Sequence, residues 1–341
     1  MNICFITGPF KPNKCGISDY IVLLTNELQD LGHSISRIII EKPQDFSTTN
    51  KKLLNSELIS MQYAPYLFSP NGLCGSHLTK FARVLKGKRV HINFHEIWVG
   101  AYPTANFIEK FNGFRQKKEI QNFLRLVKPE IITSTNTASL DRLNCSKINA
   151  QYLYLCGNIR YSHTDLKNDT KKVKVAVFGT PYTKFPYIIL FQRLVEIVNL
   201  TGKSVELKIL GRQRDDNTLL KIKDLSKKFE IFIHECGELP AESISHELQQ
   251  CDLGICTTPF DVIGKSGAAA AMLEHGLPVL AYDDGDTAKG SLITTDLFQD
   301  QIFLINDNYS AENVLKFIDK PRKCFFDGVA HTAKKMLGLV S

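Results

Sequence analysis

This chain of 341 residues lacks the features of several common protein classes. No apolar run approaches the roughly 18–20 residues that a membrane-spanning helix needs. The start, MNICFITGPFKP, has neither a basic n-region nor a small-residue cleavage site. The nine cysteines are scattered and include no Cys-x-x-Cys pair, which favours reduced thiols without a zinc site. We therefore expect a cytoplasmic protein that is neither secreted nor membrane-spanning.

A dinucleotide-binding fingerprint is also missing. Strand ICFITG is followed by PFKPNKCGISDY, in which Gly8 and Gly16 are the only glycines. Their spacing cannot form the Gly-x-Gly-x-x-Gly turn that brings a pyrophosphate to a Rossmann helix, so a nicotinamide-dependent dehydrogenase is disfavoured. The acidic run DDGD at 283–286 lacks the flanking chemistry of a metal-dependent transferase. We expect solvated turn acids there and predict no bound metal.

Positive charge is concentrated in the first half of the chain. The net charge is +7, and residues 1–157 contain 19 Lys/Arg and 11 Asp/Glu, whereas the remainder contains 23 and 24. Neither interleaved aromatic platforms nor a nucleic-acid-binding module accompanies this charge. We therefore predict no nucleic-acid partner and favour an anionic substrate or a membrane surface.

Short apolar runs rich in Ile and Val alternate with segments of helical period. This pattern is typical of a parallel sheet that helices cover on both faces. A polar stretch at 157–171 lacks periodicity and is interpreted as a linker. We predict an α/β fold of two Rossmann-like, doubly wound domains, 1–157 and 158–341, which face an interdomain cleft.

The predicted elements follow from these patterns. The predicted strands are at 2–7, 34–41, 57–63, 89–95, 130–134, 151–155, 174–178, 205–210, 230–234, 253–257, 278–282 and 302–305. The predicted helices are at 16–31, 76–85, 108–127, 137–143, 186–200, 218–228, 241–250 and 267–275.

The most informative segment is FDVIGKSGAAAAMLEHGLPV at 260–279. It predicts a loop, a helix of small residues that begins near Lys265 and Ser266, and a strand. Backbone N–H groups at a helix start lack intrahelical partners and the helix dipole is positive there, so with Lys265 they would form a diphosphate cradle. The alternative is a helix packed tightly on a sheet through residues 268–271, with Lys265 merely solvated.

Four segments, in order along the chain, resemble retaining GT-B glycosyltransferases of the group 1, family 4-like kind. PNKCGISDYIVLLTNELQDLGH resembles the N-terminal glycine loop and first helix of this family, and FHEIWVG resembles its histidine-bearing loop. VFGTPYTKFP resembles its Gly…Lys phosphate-binding turn, and GKSGAAAAMLEHGLPVLAYDDG its donor-binding helix and following strand. The resemblance covers about residues 2–320. It implies an N-terminal acceptor-binding domain and a C-terminal domain for the nucleotide-sugar donor.

The resemblance implies roles for four residues of the N-terminal domain. Gly16 falls in the loop that approaches the donor diphosphate and sugar, where a side chain would obstruct contact. His95 resembles the histidine that touches the transferred sugar, although a histidine that closes a strand can also be structural. Glu96 would orient His95 or contact the acceptor. Asp19 would bind an acceptor hydroxyl, although the helix dipole alone also favours an acid in a first turn.

In the C-terminal domain, Lys184 resembles the lysine that neutralises the donor phosphates as the leaving group departs. Phe178 replaces the arginine that the family carries six residues earlier. Arg212 is either its substitute or a solvated surface residue. The diphosphate would be held by the basic side chain and the amides at the start of the small-residue helix: Lys265, Ser266 and Gly267.

The largest departure from the family concerns two glutamates, separated by seven residues, that grip the donor sugar and the ribose. Ile263 and Ala271 stand at these positions. Glu274 is adjacent to Ala271 on the predicted helix face, and we predict that it reaches the ribose in a shifted geometry.

We accordingly predict an enzyme, a retaining glycosyltransferase that moves a sugar from a nucleoside diphosphate sugar to a hydroxyl of a saccharide or lipid-linked acceptor. The resemblance implies a front-side reaction in which a phosphate oxygen takes the acceptor proton, without cofactor or metal. Fold analogy suggests a role in bacterial surface polysaccharide or lipopolysaccharide synthesis. The alternatives are a catalytically silent partner or scaffold, a nucleotide-sugar 2-epimerase and a peripheral membrane-binding module.

The stretch FIEKFNGFRQKKEIQNFLRLVK at 107–128 is basic and amphipathic. One interpretation places it on the inner face of an anionic membrane, where it would meet a lipid-linked acceptor. The other packs its apolar stripe into the core and leaves the basic face in water. Its apolar positions are Phe107, Phe111, Phe114, Ile120, Phe123, Leu124 and Val127.

Overall fold

A computed structural model of the protein describes residues 1–12, 14–41, 53, 55–100, 105–164, 171–212, 216–283, 297–306 and 309–340. The chain forms two compact units. Among the described residues, unit 1 comprises residues 1–155 and 329–340, and unit 2 comprises residues 156–283 and 297–328. Each unit contains a six-stranded sheet, so the predicted α/β fold with two doubly wound sheets is confirmed. No helix in the described ranges combines the length and the apolar character needed to cross a membrane.

The sheet of unit 1 has the strand order β2-β1-β3-β4-β5-β6, and all neighbouring strands are parallel. Its strands are β1 Asn2–Thr7, β2 Ser34–Ile39, β3 Leu58–Tyr63, β4 Val90–Phe94, β5 Ile131–Ser134 and β6 Gln151–Tyr152. The helices between them are α1 Gly16–Asp30, α2 Pro65–Phe68, α3 Gly75–Leu85, α4 Phe107–Val127 and α5 Thr137–Cys145. Strands β3 and β4 are buried along their whole length, which is why they are mainly apolar in sequence.

The sheet of unit 2 is also parallel and has the order β12-β11-β10-β7-β8-β9, which is the Rossmann order. Its strands are β7 Lys172–Phe178, β8 Ser204–Leu210, β9 Phe232–Gly237, β10 Leu253–Ile255, β11 Val279–Tyr282 and β12 Ile302–Ile305. The helices are α6 Tyr187–Thr201, α7 Asp216–Phe229, α8 Ala241–Gln250, α9 Gly267–Glu274 and α10 Ala311–Ile318, with 3-10 turns at Phe260–Lys265 and Gln299–Gln301.

The last described helix, α11 Gly328–Val340, belongs almost entirely to unit 1. The Thr332 hydroxyl donates to the Tyr154 carbonyl at 3.0 Å, and the Lys335 ammonium lies 5.9 Å from the Tyr152 ring centroid. One face of the helix is buried through Val329, Thr332, Ala333, Met336 and Val340. This differs from the sequence-based boundary, which assigned everything after residue 157 to the second domain.

The stretch interpreted as a linker is ordered where the structure describes it. The Ser162 amide donates to the Ser245 hydroxyl at 2.8 Å, and the Gln249 side-chain amide donates to the Ser162 carbonyl at 2.6 Å. Both partners lie on α8. Residues 157–164 are therefore part of unit 2 rather than a loose connection. Residues 165–170 lie outside the described part of the chain.

Candidate functional site

Ligands of open parallel sheets bind beyond the carboxyl ends of the strands, where the strand order reverses direction. In unit 1 this point lies between β1 and β3, and in unit 2 between β7 and β10. The predicted residues Gly16 and His95 follow β1 and β4. Lys184 and Lys265 follow β7 and β10.

Of the two glycines that follow β1, the packing of unit 1 requires only the first. A Cβ on Gly8 would lie 2.2 Å from the Leu67 carbonyl oxygen, so packing requires this glycine. A Cβ on Gly16 would meet no atom within 4 Å, and the φ of Gly16 is not positive. The fold of unit 1 therefore does not require a glycine at this helix start. The predicted approach of a donor to Gly16 stays a prediction.

His95 lies against the helix that carries Gly16 and Asp19. Its ring contacts the Tyr20 ring edge-on with the centroids 5.1 Å apart, and its amide donates to the Tyr63 carbonyl at 2.9 Å. Only 4% of His95 is exposed. The structure thus brings His95 and the first turns of α1 together at the carboxyl edge of the sheet, while the predicted contact of Asp19 with an acceptor stays untested.

His95 is anchored by a buried polar network on β3, β4 and β5. Its Nε2 lies 2.9 Å from Gln62 Oε1, and because an amide oxygen only accepts, Nε2 carries the proton. Gln62 belongs to a closed ring in which every side chain donates to the next. The contacts in order are Gln62 Nε2 to Ser60 Oγ at 2.9 Å, Ser60 Oγ to His91 Nδ1 at 3.0 Å, His91 Nε2 to Thr133 Oγ1 at 2.8 Å, Thr133 Oγ1 to Asn93 Oδ1 at 2.8 Å, and Asn93 Nδ2 to Gln62 Oε1 at 3.0 Å.

Burial keeps both histidines of this network neutral. Burial, and to a lesser degree the neighbouring His91, lowers the pKa of His95 to about 3. Burial lowers the pKa of His91 to about 4. With its Nε2 proton on Gln62, neutral His95 has Nδ1 as a hydrogen-bond acceptor. Glu96 was predicted to orient this ring, but Glu96 is exposed and Gln62 makes the orienting contact. Contact of Glu96 with an acceptor stays a prediction.

In unit 2, the loop that carries Lys184 is fastened to its neighbours at the carboxyl edge. The Tyr182 amide donates to the Thr257 hydroxyl just beyond β10 at 3.1 Å. Gly179, with a φ of +84°, comes so close to α9 that a Cβ there would lie 3.2 Å from the Ala268 Cβ. The loop of Lys184 and the helix start beside Lys265 therefore share one edge. Both lysines are exposed.

Ser266 differs from its predicted role. Its hydroxyl caps α9 by accepting from the Ala269 amide at 3.1 Å, and its own amide donates to the Ile263 carbonyl at 2.9 Å. The amide is therefore engaged within the protein and is not available to a phosphate. The predicted cradle retains Lys265 and Gly267, whose contact with a diphosphate stays a prediction.

The positions of the missing glutamates are buried and carry apolar residues. Ile263 is 5% exposed and Ala271 is fully buried. A Cβ on Gly157 would lie 2.7 Å from the Ala271 Cα, so the chain itself covers this helix face. The buried Glu274 carboxylate accepts from the Gly157 amide at 2.7 Å and so holds that segment on α9. A contact of Glu274 with a ribose stays a prediction.

Arg212 follows β8 at the same edge. Its Nε lies 3.7 Å from a Glu238 carboxylate oxygen, in a partly exposed ion pair. The preceding Gly211 packs against the Phe178 ring, where an added Cβ would be 3.4 Å from the ring. Arg212 therefore directly follows the glycine that packs on Phe178, the residue that stands where the family has an arginine. The role of Arg212 as a substitute for that arginine stays a prediction.

Metal-binding chemistry was not expected. Within the described ranges, no group of three or more His, Cys, Asp or Glu side chains could hold a metal ion. Three residues of the acidic run, 284–286, lie outside the described part of the chain. The expectation of a metal-free site therefore stays a prediction.

No protein-family model and no curated protein matches this chain. Solved structures share its fold from end to end. Anabaena HepE in complex with UDP matches 98% of this chain and 94% of its own, with a TM-score of 0.58 and 12% identity. A Listeria monocytogenes protein assigned as a UDP-N-acetylglucosamine 2-epimerase matches 99% of this chain and 95% of its own, with a TM-score of 0.56 and 13% identity. An alpha-glucosyltransferase in complex with UDP-glucose and DNA containing an abasic site matches 100% of this chain and 95% of its own, with a TM-score of 0.54 and 10% identity. At these identities the likeness establishes the GT-B fold and nothing further.

Proposed function

We propose that this protein is an enzyme that acts on a nucleoside diphosphate sugar, and specifically a retaining glycosyltransferase that uses a hydroxyl acceptor. The observation that carries the proposal is the edge of unit 2, where the loops after β7 and β10 are joined by the Tyr182 to Thr257 hydrogen bond and carry the exposed Lys184 and Lys265. Structures of the same fold support it, since HepE was solved with UDP and the alpha-glucosyltransferase with UDP-glucose.

The chemistry at this edge suits a departing nucleoside diphosphate. Negative charge develops on the diphosphate as the sugar leaves, and two lysine ammonium groups beside the positive end of α9 would stabilise that charge without a metal. In the proposal Lys184 and Lys265 contact the phosphates, Gly267 allows their close approach to the helix, and Arg212 reaches them from the end of β8.

Unit 1 is proposed to bind a saccharide or lipid-linked acceptor and to contact the sugar. Neutral His95 would accept a hydrogen bond from a sugar hydroxyl at Nδ1, because Nε2 is occupied by Gln62. Gly16 leaves room for the donor, and Asp19 and Glu96 would bind acceptor hydroxyls. The acceptor oxygen attacks the face from which the diphosphate departs and its proton passes to a phosphate oxygen, so the protein acts mainly by positioning. A cytoplasmic role in surface polysaccharide synthesis belongs to the same proposal.

A thermal-shift screen against UDP, GDP, ADP, CMP, TDP and their common sugars tests the proposal. We expect one nucleotide family to raise Tm by several degrees, and we expect Lys184→Ala and Lys265→Ala to abolish that rise. Lys203→Ala is the matched control, because Lys203 is exposed at the amino end of β8, the opposite edge of the same sheet. An unchanged Tm with every nucleotide would contradict the proposal and favour the silent scaffold.

A nucleotide-sugar 2-epimerase is the second candidate. It is favoured by the fold match to the Listeria protein and by the buried, apolar positions Ile263 and Ala271, which replace the glutamates of retaining transferases. NMR of the nucleotide sugar incubated without any acceptor separates the two candidates. A C2 epimer formed under these conditions would identify an epimerase. A retaining transferase would consume the donor only in the presence of an acceptor. The anomeric coupling constant of its glycosidic product would match that of the donor.

A further inference from the structure

The two halves of helix α4, Phe107–Val127, differ in what covers their apolar side chains. In the second half Leu126 is 41% exposed, and the other four are at most 8% exposed: Ile120, Phe123, Leu124 and Val127. In the first half they are 53–83% exposed: Phe107, Ile108, Phe111 and Phe114. Packing into the core therefore accounts for four apolar side chains of the second half and for none of the four in the first half.

The exposed half is a well-formed part of the helix rather than a frayed end. The Asn106 side chain accepts from the Glu109 amide, and the Glu109 carboxylate accepts from the Asn106 amide, each at 2.9 Å. Phe107, Phe111 and Phe114 are spaced by four and three residues, which places them on one face. Large apolar side chains grouped on a surface in this way are typical of interaction sites.

The charge on the same surface has one sign. Lys110, Arg115 and Lys118 are exposed on α4, and the Lys118 ammonium lies 5.6 Å from the Phe114 ring centroid. The helix contains two carboxylates, Glu109 in the capping box and Glu119, which accepts from the Cys74 amide at 2.8 Å. Both acids are thus engaged with backbone amides.

The neighbouring helix is also basic. Helix α3, Gly75–Leu85, packs against α4 and contains no acidic residue. Its Lys80 and Arg83 are exposed. A second copy of this chain is a poor occupant, because two such surfaces facing each other would repel.

We propose that the aromatic-basic face, defined as Phe107, Ile108, Lys110, Phe111, Phe114, Arg115 and Lys118, docks on an anionic lipid bilayer. The phenyl rings and Ile108 insert at the boundary between headgroups and acyl chains, and the cationic side chains bind lipid phosphates. An anionic bilayer binds surfaces that combine two properties. One is exposed apolar side chains, which gain by leaving water, and the other is basic side chains on a face without acidic residues. The docking uses unit 1 alone and requires no nucleotide, so it stands or fails independently of the proposed enzyme activity.

Vesicle co-sedimentation of the full chain tests the proposal with phosphatidylcholine alone and with phosphatidylcholine mixed with phosphatidylglycerol. We expect binding to the mixed vesicles only. Arg115→Glu with Lys118→Glu should weaken it by at least about tenfold, because each basic residue near an anionic surface contributes roughly 1 kcal/mol. Phe107→Ser with Phe111→Ser and Phe114→Ser should weaken it by at least about as much, since apolar burial is lost.

The matched control replaces three apolar side chains of unit 2 that are exposed to a similar degree: Ile188→Ser with Leu200→Ser and Leu220→Ser. This variant should bind the vesicles like the unmodified protein. No binding to the mixed vesicles, or equal binding by the triple phenylalanine variant, would overturn the proposal. It would also be overturned if the face instead mediated self-association or preferred single-stranded nucleic acid, detected by sedimentation velocity and by competition.

Discussion

The imidazole of His95 donates its Nε2 proton to the side-chain oxygen of Gln62 over 2.9 Å. That oxygen also accepts from Asn93, so the closed ring of side chains and the histidine meet at one atom. Gln62 therefore sets both the tautomer and the orientation of the imidazole.

Removal of the Gln62 amide should destabilise unit 1. Gln62→Leu leaves the donors of Asn93 and His95 without their acceptor in a buried site, and we expect the free energy of unfolding to fall by about 2–4 kcal/mol. Urea denaturation measures this loss. Gln29→Leu, at an exposed position of α1, is the control and should stay within about 0.5 kcal/mol of the unmodified protein. Equal stability of the two variants would show that the ring contributes little.

Stability should fall as the pH drops from 7 towards 5. Three buried histidines have lowered pKa values in the folded protein, about 3 for His95 and about 4 for His91 and His275. An unfolded histidine has a pKa near 6.5, so below that pH the unfolded state binds protons that the folded state does not. Each histidine should cost up to about 1.4 kcal/mol per pH unit once the pH is below the unfolded pKa.

Urea denaturation between pH 7 and pH 5 checks this pH dependence. The stabilising contribution is complete above the unfolded pKa and is lost as the pH falls towards the folded values. His163→Asn, which removes an exposed histidine, is the comparison variant. A flat profile would mean that the buried imidazoles titrate normally.

Two glycine substitutions separate binding from packing. Gly16→Ala adds a methyl group that meets no protein atom within 4 Å, and alanine is the better helix former by about 1 kcal/mol, so Tm should be unchanged or higher. If a donor approaches this residue, nucleotide-sugar affinity should fall by about tenfold or more, as expected for a steric cost of 1–3 kcal/mol. Calorimetric titration measures the affinity.

Gly8→Ala is the counterpart, because its Cβ would lie 2.2 Å from the Leu67 carbonyl oxygen. We expect Gly8→Ala to lower the Tm of the protein without any ligand present. Wild-type affinity in a stable Gly16→Ala protein would remove Gly16 from the binding site.

Glu274 is predicted to act as a structural anchor. Glu274→Ala removes the acceptor of the buried Gly157 amide and should lower stability by about 1–3 kcal/mol. Glu274→Gln keeps an oxygen acceptor of the same reach and should lose less. Nucleotide affinity of the Gln variant, measured in parallel, discriminates between the two roles, since a selective loss of affinity at unchanged stability would indicate a contact with the ribose.

The central strands were predictable because both of their faces are buried and their sequences are therefore mainly apolar. The predicted strands at 2–7 and 302–305 match β1 and β12 in both bounds. The predicted strand 151–155 contracts to Gln151–Tyr152, since an apolar run does not show where ladder hydrogen bonds stop. Helix α2, with four residues, is too short to show a period.

The polar network was missed, although its signal is present. Ser60 and Gln62 alternate with apolar residues in β3, as do His91 and Asn93 in β4, and this period of two places them on one face. The parallel register sets Ser60 beside His91 and Gln62 beside Asn93. Polar side chains on one face of two buried strands must bind each other, because no water reaches them. What sequence could not supply is the pairing of β3 with β4, which depends on the whole sheet.

Helix α11 makes the completion of unit 1 depend on residues that are synthesised after unit 2. A ribosome translates residues 156–328 before residues 329–340, so the nascent unit 1 has the Tyr154 carbonyl and the surface beneath α11 uncovered while unit 2 emerges and folds. Unit 1 therefore cannot complete its native structure until the whole of unit 2 has been synthesised.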